Sequence, residues 1–153
     1  MRIASAEVSQ RNIELQARAV AALNAREVPA DLLAPGFSLR NRASAVADYT
    51  YRGAGGWRDW MNDTFEEFSE SAQVRIEQII AATEEFVIAS FCIDGESAHL
   101  GAPLSFSWTG VTWFCNGRAT RAAGYSTRGE ALVAVGCEAG ERWHGLAPNL
   151  AAA

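Results

Sequence analysis

Two residues in the middle of the chain have side chains suited to proton transfer, His99 and Asp48. A histidine titrates close to neutral pH, so His99 could act as a general acid or base. Asp48 lies beside Tyr49 and Tyr51 in the sequence, and aromatic neighbours in a pocket would raise the pKa of its carboxyl group. Simple solvation in a loop is the alternative for both residues. We name His99 and Asp48 as candidate catalytic residues.

A third candidate, Arg121, belongs to a predicted β-hairpin over residues 104–125. Two β-rich runs flank Asn116-Gly117, a dipeptide that tolerates the positive φ angles of a tight two-residue turn. If Cys115 faces Arg118, regular alternation places Arg121 among aromatic side chains of one face. The residues predicted on that face are Phe106, Trp108, Thr112, Phe114, Ala119, Arg121, Ala123 and Tyr125.

An arginine among aromatic rings needs a partner, because a guanidinium cannot lose its proton at ordinary pH. Arg121 could therefore anchor an anionic ligand group or stabilise developing charge. The alternative is a structural ion pair with Asp48, Asp59 or Asp63, or a side chain that reaches solvent at the sheet edge.

The opposite face of the hairpin is apolar as well. A sheet that is apolar on both faces must be covered twice, and we expect a chain of 153 residues to supply helices for only one face. We therefore predict a homodimer joined through the outer face, which carries Val111, Trp113, Cys115, Thr120 and Ala122.

The charge and the composition of the chain restrict the kinds of molecule that it is expected to bind. The formal net charge is -5 and the basic residues form no cluster, which argues against nucleic acid and anionic membranes. No run is long and apolar enough to span a bilayer, and the N-terminus lacks a signal-peptide pattern. The three cysteines, Cys92, Cys115 and Cys137, have no metal-site spacing and are predicted to be buried free thiols. We predict a cytoplasmic protein without a metal or cofactor.

Hydrophobic periodicity predicts the elements that position these residues. Helices are expected over 4–24, 57–68 and 128–135, the last one opened by a capping box at Thr127 and Glu130. Strands are expected over 37–41, 74–80 and 85–93, followed by the hairpin. Residues 42–56 show no periodicity and are predicted to form a loop at the rim of a pocket.

This order of elements, an α+β layer of helices on a curved antiparallel sheet, resembles the SnoaL-like branch of the nuclear transport factor 2-like superfamily. The resemblance rests on three segments, ARAVAALNAREVPADLLAPGFSLRN, YRGAGGWRDWMND and GAPLSFSWTGVTWFCNGRATRAAGYSTRGEALVAVG. It implies a cone-shaped, cystatin-like fold with a short C-terminal helix, a pocket between sheet and helices, and a homodimer. We expect one such domain over residues 1–140 and a tail over 141–153.

The resemblance also indicates positions where relatives perform chemistry. The base and the two oxyanion-stabilising residues of ketosteroid isomerases align with Asn41, Ala19 and Gly110, none of which can perform those roles. His99 is similar in position to a histidine of the polyketide cyclases.

We therefore expect a protein that binds a small hydrophobic, ring-containing molecule in an aromatic cavity. An acid/base enzyme of isomerase, cyclase or epoxide hydrolase type is the alternative, and a dimeric association module without catalysis is a third. The aromatic stripe at 57–68 is also the pattern of a helix face packed on a sheet, which is the more common reason for aromatic residues at helical spacing. The predicted ligand-binding residues are Tyr51, Trp57, Trp60, Met61, Phe91, Phe106, Trp108, Phe114 and Tyr125.

Overall fold

A computed structural model describes residues 5–41 and 49–136. Within them lie the helices α1 (Ser5–Asn24), α2 (Gly53–Phe65) and α3 (Arg128–Ala134), and a 3-10 turn at Ala30–Leu32. The strands are β1 (Leu33–Asn41), β2 (Tyr49–Arg52), β3 (Gln73–Ala82), β4 (Phe86–Glu96), β5 (Pro103–Cys115) and β6 (Arg118–Tyr125). The predicted α+β cone fold of helices on a curved sheet is confirmed.

The strands form one six-stranded sheet in the order β2-β1-β6-β5-β4-β3. Neighbouring strands are antiparallel except for β1 and β6, which run parallel. The sheet is therefore mixed, whereas the prediction was a wholly antiparallel sheet. The long chain segment between β1 and β6 makes this parallel pair possible, because it provides the crossover that a tight turn cannot.

Two boundaries near the N-terminal half differ from the prediction. Strand β1 begins at Leu33, before the predicted start at residue 37, and passes through Pro35 and Gly36 with an irregularity before Ser38. The predicted loop 42–56 contains β2 and the first turn of α2. A four-residue strand is too short to show a period, and three of residues 53–56 are glycine, a poor helix former, so both signals were weak.

The β5–β6 hairpin turns at Asn116-Gly117, whose φ angles are 51° and 79°. Cys115 pairs with Arg118 and Phe114 with Ala119, as predicted. Beyond that point the predicted register is wrong, because a β-bulge at Thr120 makes Arg121 the partner of Trp113. An extra residue in one strand reverses the faces of all residues that follow it. Arg121, Ala123 and Tyr125 therefore lie on the outer face, and Ala122 on the inner face.

Helices α1 and α2 cover the inner face at opposite edges of the sheet. α1 packs on β3 and β4, and α2 packs on β1 and β2. Two asparagines fasten α1: the Asn12 amide donates to the Thr83 carbonyl at 3.0 Å, and Asn24 exchanges two hydrogen bonds with the Val74 backbone at 2.8 and 2.7 Å. These bonds satisfy polar groups of the β3 backbone and of the turn after it, and they fasten α1 to that edge of the sheet.

Helix α3 packs on the outer face, which overturns the expectation that this chain has helices for one face only. Thr127 caps it, accepting from the Glu130 backbone N–H at 3.1 Å, and Gly136 follows it with a φ of 85°. The buried Ala131 contacts a cluster formed by Ile80, Ala81, Phe86, Ile88 and Val111. Homodimerisation through the remaining outer surface stays a prediction, with Ala122 removed from it.

The remaining predictions concern the cysteines, Asp48, the C-terminal tail and membrane spans. Cys92 is buried as expected, but Cys115 is exposed at the end of the hairpin. Asp48, Cys137 and the predicted tail lie outside the described residues. None of the helices within 5–41 and 49–136 has the length and apolar character needed to cross a lipid bilayer.

Candidate functional site

A cavity of about 740 Å³ lies between the inner face of the sheet and the two helices. α1 contributes Gln16, Ala19, Val20 and Leu23 to its wall, and α2 contributes Trp57, Trp60, Asp63 and Thr64. Strands β1, β4, β5 and β6 form its floor. The cavity exists because α1 and α2 pack on opposite edges of a curved sheet and leave the middle of the inner face without a helix above it.

Aromatic rings form much of the wall and meet in three pairs. Trp57 and Trp60 pack edge to face with ring centroids 5.2 Å apart, and Tyr49 and Tyr51 do so at 4.7 Å. The third pair is a stack on the floor of the cavity, Phe91 on Trp108 at 5.4 Å. Such pairs favour particular ring orientations, so the wall presents extended apolar surfaces to a ligand.

Small residues keep the floor open. A Cβ atom at Gly110 would lie 2.8 Å from Cε2 of Phe91, and one at Gly124 would lie 3.5 Å from Oδ1 of Asn41. The three positions that the family resemblance pointed to, Ala19, Asn41 and Gly110, all line the cavity. Asn41 is neutral, and Ala19 and Gly110 carry no polar side-chain group, so none of them can do what the acids and the tyrosine of ketosteroid isomerases do at these positions.

The most tightly paired polar groups of the site are Tyr51 and Asp63. The Tyr51 hydroxyl donates to Oδ2 of Asp63 at 2.6 Å. Burial raises the pKa of the Tyr51 phenol above its usual range, and the hydrogen bond to Asp63 and the charges of that carboxylate and of Asp59 raise it further. Tyr51 is therefore a neutral phenol at physiological pH and holds the Asp63 carboxylate in one orientation.

One buried amide faces the cavity without a partner. The Gln16 side chain is only 7% exposed and lies in the cavity wall, and no hydrogen bond joins it to the other described residues. The indole N–H of Trp57 is also buried without an acceptor among those residues. Among the described residues, the Trp57 N–H is the one fully buried side-chain polar atom without a partner, and such an atom costs about 1–3 kcal/mol unless a ligand or water satisfies it.

Neither His99 nor Arg121, the two candidate catalytic residues that the structure describes, lines the cavity. His99 is exposed in the β4–β5 connection and does not line the cavity. Arg121 is exposed on the outer face, where its guanidinium carbon lies 3.8 Å from the centre of the Trp113 ring. Neither the predicted anchoring role nor the predicted ion pair of Arg121 therefore has a partner inside the cavity. Asp48 lies outside the described residues.

The predicted ligand-binding residues fall into three groups. Six line the cavity: Tyr51, Trp57, Trp60, Phe91, Phe106 and Trp108. Met61 and Phe114 belong to the buried core beside it. Tyr125 packs against the outer-face cluster under α3, because the bulge at Thr120 reverses its direction. Contact with a ligand stays a prediction for the six.

Sequence reasoning missed the polar residues of the site, Gln16, Asp63 and Glu67. A signal was present for the two acids, since Trp60, Asp63 and Glu67 recur at helical spacing and so share one face with the aromatic stripe. Nothing in the sequence distinguished Gln16 from a solvated residue of α1. Among the described residues, no group of three or more His, Cys, Asp or Glu side chains lies together to hold a metal ion.

No family model matches the chain, and no curated protein matches it. Solved structures do. A nuclear transport factor 2-like protein of unknown function from Mesorhizobium loti is 14% identical, with a TM-score of 0.60 over 78% of this chain and 93% of that chain. A phenazine biosynthesis-related protein from Pseudomonas aeruginosa is 10% identical, with a TM-score of 0.61 over 94% of this chain and 96% of that one.

A third structure, a hypothetical protein with a ketosteroid isomerase-like fold from Catenulispora acidiphila in complex with trimethylamine, is 17% identical. Its TM-score is 0.59 over 85% of this chain and 98% of that chain. At these identities the likeness concerns the fold. The helices, the curved mixed sheet and the central cavity, together with these neighbours, show that the chain has the nuclear transport factor 2-like fold.

Proposed function

We propose that this protein binds a small, hydrophobic, ring-containing molecule in the cavity between α1, α2 and the sheet, as a member of the SnoaL-like group. The observation that carries the proposal is the cavity itself, about 740 Å³ walled by three aromatic pairs. Pockets for small organic ligands commonly measure about 300–1,000 Å³, and most of their lining is apolar with a few fixed polar groups.

The polar groups of the wall support a ligand with at least one heteroatom. Gln16 offers an amide donor and acceptor that the described residues leave unpaired. A ligand oxygen or nitrogen that reached this amide would recover a hydrogen bond that the protein alone lacks, and a purely hydrocarbon ligand would not. One neighbour of the same fold is a phenazine biosynthesis-related protein.

Acid/base catalysis is the second candidate, and the Tyr51–Asp63 pair favours it. One carboxylate oxygen accepts from Tyr51 at 2.6 Å, which leaves the other free to accept a proton from a ligand in the cavity. The pair would replace the predicted combination of His99, Asp48 and Arg121. Catalysis of this kind would show as exchange of an acidic ligand C–H with deuterium from solvent, lost in Asp63→Asn.

The binding proposal is tested with N-phenyl-1-naphthylamine, a neutral ring compound that becomes fluorescent in apolar surroundings. We expect saturable enhancement with the parent protein. Ala19→Phe places a ring in the cavity and should weaken binding at least tenfold, whereas Ala17→Phe adds the same ring to an exposed position two residues away on α1. Absence of saturable binding, or equal losses in the two variants, would overturn the proposal.

A further inference from the structure

Resting on the proposed binding function, we propose that the ligand is an organic cation whose apolar ring lies inside the cavity and whose positively charged nitrogen lies at the acidic mouth. The inference concerns the charge of the ligand, which the aromatic wall alone does not specify. It follows from which charged residues line the cavity and from what surrounds them.

The charged residues of the cavity wall are both acidic. Asp63 lies in the last turn of α2 and Glu67 just beyond its end, and both are exposed at the mouth. No Lys, Arg or His among the described residues lines the cavity. Neither carboxylate forms an ion pair with a described residue. Their charge is therefore available to a ligand.

Aromatic rings flank Asp63 on two sides. Trp60 lies three residues before it on the same helix face, and the Tyr49–Tyr51 pair reaches it through the Tyr51 hydroxyl. The faces of these rings carry partial negative charge, so they attract a cation and not an anion. Tyr49 at 56% and Phe106 at 64% exposed complete an aromatic rim around the mouth.

The hydrogen bond from Tyr51 adds preorganisation. It holds the Asp63 carboxylate at 2.6 Å, so little side-chain freedom remains to be lost when a cation arrives. An anionic ligand would meet two carboxylates there, and no cation among the lining residues within 5–41 and 49–136. A neutral ligand would gain only the apolar contacts. The arrangement thus discriminates by ligand charge and not by ligand shape.

Three probes with one naphthyl ring isolate the effect of charge. They are (1-naphthylmethyl)trimethylammonium, its neutral isostere 1-(2,2-dimethylpropyl)naphthalene, and the anion 1-naphthylacetate. Equilibrium dialysis of each against the parent protein gives the three affinities. We expect the cation to bind about tenfold or more tightly than the neutral isostere, as a cation between aromatic rings and carboxylates predicts, and the anion to bind most weakly. Of the three probes, only the cation should bind more weakly when the salt concentration is raised.

The variant Asp63→Asn/Glu67→Gln removes both charges, and the amide oxygen introduced at position 63 would still accept from Tyr51. We expect the ratio of cation to neutral affinity to fall to about one. The matched control Glu66→Gln/Glu14→Gln removes two exposed charges that do not line the cavity and should keep the parent ratio. Far-ultraviolet circular dichroism and the melting temperature report whether each variant is folded.

The outcomes separate this inference from the binding proposal. Saturable binding of N-phenyl-1-naphthylamine together with equal affinities for cation and neutral isostere would overturn the inference and leave the binding proposal standing. A parent preference for the cation that survives Asp63→Asn/Glu67→Gln would also overturn it, because the preference would then arise elsewhere on the surface. Failure of all three naphthyl probes and of N-phenyl-1-naphthylamine would overturn both.

Discussion

On the outer face of the sheet, α3 rests directly on Ile88 and Val111, both completely buried. On the inner face of the same strands, α1 and α2 pack at the edges and leave a cavity over Gly110, Ala122 and Gly124. Both faces are apolar and both are covered by helices. The difference lies in side-chain size and helix position, so an apolar strand face can become either a filled core or a ligand cavity.

The largest loss of stability should come from shortening a buried side chain on the outer face of the sheet. Ile88→Ala removes methyl groups from a site with no exposed surface and should cost about 2–5 kcal/mol of unfolding free energy. Phe106→Ala, at the mouth of the cavity, should change it by less than about 0.5 kcal/mol. Urea denaturation of the two variants measures both values. Equal costs would mean that the inner face is packed as tightly as the outer one.

Gly56 and Gly110 differ in whether the atom nearest to an added Cβ can move away from it. A Cβ atom at Gly56 would lie 2.6 Å from the Tyr51 carbonyl carbon, which cannot move without shifting β2. Gly56→Ala should therefore destabilise by about 1–3 kcal/mol, despite the better helix propensity of alanine.

At Gly110 the nearest atom is the end of the Phe91 ring, which can rotate into the empty cavity. Gly110→Ala should cost less than about 1 kcal/mol of stability but weaken binding of N-phenyl-1-naphthylamine, because the ring then occupies cavity space. Thermal denaturation and the fluorescence titration distinguish the two glycines. A Gly110→Ala variant less stable than Gly56→Ala would contradict this account.

The Tyr51–Asp63 pair predicts a pH dependence of stability that arises at the cavity. Because the folded pKa of Tyr51 is raised, its contribution to stability is complete below the unfolded value of about 10 and is lost as pH rises through the folded pKa. Absorbance at 295 nm and pH 11 should show one tyrosine fewer ionised in the native protein than in urea, and Tyr51→Phe should remove that difference. Equal ionisation in both states would show that Tyr51 is not protected.

The smallest effect should come from Arg121, which the bulge places on the outer face. Arg121→Gln removes an exposed contact with the Trp113 ring and should cost less than about 1 kcal/mol. Binding of N-phenyl-1-naphthylamine should equal that of the parent, since Arg121 does not line the cavity. A tenfold loss of affinity would contradict the bulged register and support the predicted regular one, in which Arg121 faces the cavity.

Local patterns predicted much of the fold. Asn116-Gly117 predicted the turn and the two pairs beside it, and Thr127 with Glu130 predicted the start of α3. Such features depend on residues within a few positions of each other. The bulge at Thr120 had no comparable signal, and its effect was large because one extra residue exchanged the faces of Arg121, Ala122 and Tyr125.

The site was predictable only in part, and for the same physical reason. Hydrophobic periodicity identifies which side of α2 turns inward, so Trp57 and Trp60 were placed correctly on the cavity side. It does not report whether a second element lies against that side or at a distance from it. Consequently Met61 and Phe114 were predicted to touch a ligand although they are packed in the core.

What the sequence by itself determined is local: the period of each helix and strand, the hairpin turn, the cap of α3 and the absence of basic clusters. Tertiary structure alone decided which face of β6 carries Arg121, how far α1 stands from α2, and that Tyr51 donates to Asp63. These outcomes depend on distances between segments remote in sequence, and those distances are set by the packing of the whole sheet against its helices.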